Sequence, residues 1–83
     1  MMKAPTEAEK QDLVDDGLAA DRLRTDPAFQ RAIVQMRKEA VDHLIETPVS
    51  DVENNTRLRA EIKAIDALCG QIAIAIQRGT AVR

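Results

Sequence analysis

The chain has 83 residues, 45% of them apolar, with one aromatic side chain (Phe29), one cysteine and a formal net charge of −2. This length holds one small domain at most, a lone cysteine excludes an internal disulfide, and no Cys/His cluster offers structural zinc. Association with other protein is the remaining support for so lean a core.

In chain order, Met1–Pro5 is a polar tail that would fray in a free monomer unless other subunits hold it. Thr6 and Glu9 have capping-box spacing, in which hydroxyl and carboxylate each satisfy a free backbone amide. They predict a first helix over residues 7–23. Its apolar residues (Ala8, Leu13, Val14, Leu18, Ala19, Leu23) form a weak stripe, and Gly17 interrupts it at a cost of ~1 kcal/mol relative to alanine. This helix needs a surface to lie on. It is also acidic, with seven acids against three bases between residues 6 and 26.

Asp26-Pro27 is a strong helix start, since aspartate caps well and proline fits the first turn. A second helix is predicted over 27–46. Phe29, Ile33, Met36, Ala40 and Leu44 form one stripe, and Val34, Val41 and Ile45 widen the apolar band onto an adjacent face, which implies two neighbours. Thr47-Pro48 ends it, because the residue before proline avoids helical angles.

Ser50 and Glu53 repeat the capping-box spacing ahead of a third helix over 51–77, with Gly79 as its stop. Leu58, Ile62, Ile65, Cys69, Ile72 and Ile76 recur at steps of four and three, the seam of a packed helix. Ile72-Ala73-Ile74-Ala75-Ile76 also alternates with period two, so a short strand fits there as well. If the segment is helical, Ile74 lies off the seam and calls for a second contact surface. Gly70, between Ala67 and Ala73, would admit another helix closely. The short connection between the second and third helices makes them antiparallel neighbours. The expected fold is all-α: one domain over 1–83, an antiparallel helical hairpin with an additional N-terminal helix. The candidate partner-binding residues are Val41, Ile45, Ile72, Ile74 and Ile76.

The chemistry-bearing residues are sparse. Cys69 falls on the seam, where a free cysteine behaves as a small buried hydrophobe. His43, the only histidine, belongs to no His-x-x-x-His or Glu-x-x-His pair and reads as a rim or surface residue. Arg31, Gln35, Arg37 and Lys38 after a turn suggest a helix-turn-helix reader. The acidic helix before them would repel phosphate, so nucleic acid is not the expected partner. No glycine-rich phosphate loop and no catalytic Ser/His/Asp set stands out. The expectation is a non-enzyme without catalytic residues, cofactor, metal or small-molecule substrate. No apolar run approaches the ~20 residues that span a bilayer, and the N-terminus is too polar for a signal peptide, so synthesis in a cytoplasm without membrane contact is expected.

The layout from Leu23 to Gly79 resembles small proteins encoded among tailed-phage head genes. The residues that carry it are Asp26-Pro27-Ala28-Phe29-Gln30, Thr47-Pro48, and Arg57-Leu58-Arg59 leading into Ala64-Ile65-Asp66-Ala67-Leu68. That resemblance implies a short α-hairpin acting in virion assembly, virion-associated, with its own copies or other virion subunits as partners. Two other roles stay open: a small acidic regulator or inhibitor of a host protein, and a DNA-binding accessory factor.

Overall fold

The computed structural model describes residues 4–83, and these form three helices: α1 (Glu7–Thr25), α2 (Pro27–Glu46) and α3 (Val52–Ala81). The expectation for the first three residues of the tail lies outside the described residues. The fold is all-α, an α2–α3 hairpin with an additional N-terminal helix.

The helix starts come from local chemistry. Thr6 Oγ1 accepts the Glu9 amide at 3.1 Å and Glu9 Oε2 accepts the Thr6 amide at 3.3 Å, the expected reciprocal box. Asp26 Oδ1 caps α2 by accepting the Phe29 amide at 2.9 Å, with Pro27 opening the first turn. The box expected from Ser50 and Glu53 does not form. Asp51 caps α3 instead, accepting from the Asn54 backbone at 3.3 Å and from its side-chain amide at 2.7 Å. A carboxylate makes the stronger, charge-assisted bond, and it moves the start one residue along.

Two helix ends also differ from expectation. α1 runs on to Thr25 where 23 was predicted, its last turn closed by Thr25 Oγ1 donating to the Asp21 carbonyl at 3.0 Å. α3 runs to Ala81 where 77 was predicted, and residues 72–76 are helical, not a strand. Gly79 is not a stop. No described glycine has a positive φ, so none ends a helix in the left-handed conformation.

α3, ~45 Å long at 1.5 Å per residue, is the spine. α2 lies against its first half, where Ala40, Leu58 and Ile65 are the buried apolar residues and Arg37 Nε meets Asp66 Oδ1 at 3.0 Å. α1 lies against its second half and makes the broader contact of the two, while touching α2 little. The N-terminal helix is therefore a principal packing element, not an accessory to the hairpin. Asp26 alone joins α1 to α2, and Gln30 Nε2 braces the joint by donating to the Arg24 carbonyl at 2.8 Å.

Where α1 crosses α3, backbone meets backbone. A Cβ placed on Gly79 would stand 2.8 Å from the Leu13 carbonyl oxygen and 3.0 Å from the Gly17 Cα; one placed on Gly17 would stand 3.0 Å from the Ala75 carbonyl oxygen. The interruption at Gly17 is thus the crossing point, and both glycines are buried. Gly70, the glycine expected to admit a neighbour, has open space around it.

Cys69 is exposed and does not complete the seam. It lies on α3 between Asp66, which pairs with Arg37 of α2, and the stretch around Ala75 and Gly79 that meets α1. The seam's period is sustained, but its cover is not.

Candidate interaction surface

The molecule measures 54 × 36 × 13 Å, with a radius of gyration of 17.5 Å. A compact chain of this length would have a radius near ~12 Å. Three helices laid side by side leave two broad faces open. The accessible surface is 6490 Å², against about 4,900 Å² for a compact monomer of 9.2 kDa. Domains ordinarily bury their apolar faces between two packed layers, and this chain supplies one.

One open face carries a stripe along α2. Val34 and Ile45 are 67% and 76% exposed, with Val41 half-buried between them. Val49 and Val52, at the hairpin tip, are likewise exposed. Of the five residues singled out from sequence, Ile45 and Ile74 stand exposed, while Val41, Ile72 and Ile76 are half-buried. Ile72 and Ile76 belong to the seam, so they are shared between internal packing and the surface. The fold does not gather the five into one patch: Val41 and Ile45 lie on α2 and the three isoleucines on the second half of α3.

The other side of the hairpin holds a groove of about 490 Å³ between α2 and α3, a feature that sequence reasoning missed. Its apolar lining is Met36, Ala40, Ala64 and Ile65. Small side chains help to open it: Ala40 and Ala64, one on each helix, line a space that larger side chains would fill. Met36, expected to pack in the α2 stripe, is 53% exposed on its edge.

Charges of both signs rim the groove, Glu39 and Glu61 against Arg57, with the His43 ring beside them. Arg57 Nη1 meets Glu61 Oε1 at 2.8 Å, and Gln35 Nε2 donates to Glu39 Oε1 at 2.9 Å. Among the described residues the His43 ring makes no hydrogen bond to protein. It stays at the rim, as its place near the end of α2 suggested.

Elsewhere the charged groups are solvated faces. Lys38 Nζ is 2.7 Å from Asp42 Oδ2, and that hydrogen bond and charge raise the lysine's pKa above its ordinary value. Arg37 is raised likewise by its hydrogen bond to Asp66, which in turn lowers the Asp66 carboxyl. Two of the three basic groups on α2 that suggested a DNA reader are thus engaged with carboxylates. Among the described residues no polar side chain is buried, no cluster of His, Cys, Asp and Glu is placed to hold a metal, and no helix is long and apolar enough to cross a membrane.

The surface defines a thin, single-layer helical protein with apolar faces on both sides. No protein family, curated protein or solved structure matches the chain.

Proposed function

We propose that this protein is a non-enzymatic structural or assembly component that works by packing its helix faces against other protein, its own copies included. The observation that carries this reading is the mismatch between fold and core. Three extended helices bury only three apolar residues, Ala40, Leu58 and Ile65, and expose roughly 1,600 Å² more surface than a compact chain of the same mass. That excess is close to the total area a standard protein–protein interface removes from water. The exposed stripe of Val34 and Ile45, with Val41 beside them and Ile74 on α3, is the surface for other subunits. The resemblance of Leu23–Gly79 to tailed-phage head-gene products suggests the setting, a tailed-phage virion.

A second reading rests on α1, where Glu7, Glu9, Asp12, Asp15 and Asp16 are all exposed: an acidic face that binds a basic site on a host protein. Salt separates the two, because contacts between exposed charges weaken as they are screened and apolar packing does not. Sedimentation of the pure chain over a wide concentration range, and its co-purification with intact particles at low and raised salt, are the tests. Association that survives raised salt is expected. A cooperatively folded monomer that never self-associates and accompanies no particle component would overturn the proposal.

A further inference from the structure

Resting on that reading, we infer that the α2–α3 groove is the seat of a second copy of this chain, the two molecules pairing groove to groove about a two-fold axis.

Three observations converge on a copy as the occupant. The chain is one layer, 13 Å through its thinnest dimension, and a second identical layer completes the two-layer arrangement that encloses a core. The area matches: a standard interface removes about 800 Å² from each partner, half or so of this chain's excess. The groove is also self-complementary. It has an apolar lining, and its rim carries Glu39 and Glu61 together with His43 and Arg57.

A two-fold contact brings each residue i against j and each j against i. The pairing we infer sets one copy's Glu39 and Glu61 towards the other's Arg57 and His43, with Met36 of each copy over the gap beside the other's Ala40 and Ala64. Methionine suits this, being flexible enough to fill an irregular apolar space. Arg57 spends only one hydrogen-bonded contact on its own Glu61, and a guanidinium has five N–H donors.

The test compares like changes at the groove and away from it. Met36→Glu places a charge at the groove edge; Val49→Glu makes the same kind of change at the hairpin tip, outside the groove lining. Both sites are more than half exposed, and circular dichroism checks that helicity is kept. Met36→Glu is expected to raise the dimer dissociation constant at least tenfold, and Val49→Glu to leave it within about twofold.

A charge-swapped pair gives a second, independent measurement. A basic groove (Glu39→Lys with Glu61→Lys) and an acidic groove (His43→Glu with Arg57→Glu) should each sediment as monomers alone and as a dimer when mixed in equal amounts. All four residues are exposed, so the changes spare the core. If the wild-type chain associates but Met36→Glu changes nothing and the swapped variants do not pair, the groove is not the interface, while the assembly role stands. If the chain is monomeric yet accompanies a particle component, the second copy is again overturned and the assembly role stands. If it is monomeric and accompanies nothing, both fall.

Discussion

The two halves of α3 are packed in opposite ways. Towards its C-terminal end, α1 crosses it backbone on backbone at Gly17 and Gly79, a contact made by leaving side chains out. Towards its N-terminal end, α2 meets it through Ala40, Leu58 and Ile65, with a groove left beside them. The glycine crossing is closed and has no room for another methyl group. The side-chain contact is partial and leaves a groove open beside it. Small residues thus do contrary things in one chain: paired glycines bring backbones together, whereas alanines along the groove leave it open.

Variants break or sharpen that contrast. The largest effect is expected on the side-chain half. Ile65→Asp puts a carboxylate at a position that is 8% exposed; an uncompensated buried charge costs about 3–5 kcal/mol. In so thin a protein this should abolish cooperative unfolding, read by urea titration of the circular dichroism signal.

Next comes the glycine half. Gly79→Ala forces a methyl group to 2.8 Å from a backbone carbonyl oxygen, with backbone and no flexible side-chain end to yield. Overpacking of this kind costs about 1–3 kcal/mol, and the strain falls on α1. Hydrogen exchange should therefore rise across residues 7–25 more than across 27–46. Equal acceleration in both helices would show that the two halves are not separately packed.

Gly70→Ala is the same substitution with the opposite expected sign. Nothing stands within 4 Å of the added Cβ, so the helix gains up to about 1 kcal/mol from alanine's propensity. The melting temperature should rise. A fall would mean that another subunit covers this stretch of α3 in solution.

The smallest effect concerns the Arg37–Asp66 pair, the one ion pair between helices among the described residues. The hydrogen bond from Arg37 holds the Asp66 carboxyl below its ordinary value. The folded state therefore binds the proton less readily than the unfolded one, so the pair's contribution is present above the usual carboxylate range. It is lost as pH falls through the lowered value. Both side chains are about half exposed, and exposed pairs contribute little. Asp66→Asn should flatten a slight acid-side decline in stability and leave neutral-pH stability nearly unchanged.

Legibility in the sequence tracked the range of the interaction. Thr6 with Glu9, Asp26 with Pro27, and Thr47 with Pro48 act over three or four residues, and helix boundaries followed them closely. Where two local signals competed, as Ser50 and Asp51 did for the third cap, spacing alone chose the wrong one. The groove between Ala40 and Ala64 carried no comparable signal, since an alanine on an apolar stripe looks the same whether its neighbour interlocks with it or leaves a gap.

What the sequence by itself determined is the set of three helices, the antiparallel hairpin and the leanness of the core, because capping, proline geometry and apolar periodicity are properties of neighbouring residues. The tertiary structure alone decided which stretch of α3 each helix covers. Periodicity marks a face but not its occupant, so Cys69 could keep perfect register on the seam and still end in solvent. Gly17, a weak point in an isolated helix, became the point where α1 crosses α3 once Gly79 stood opposite it.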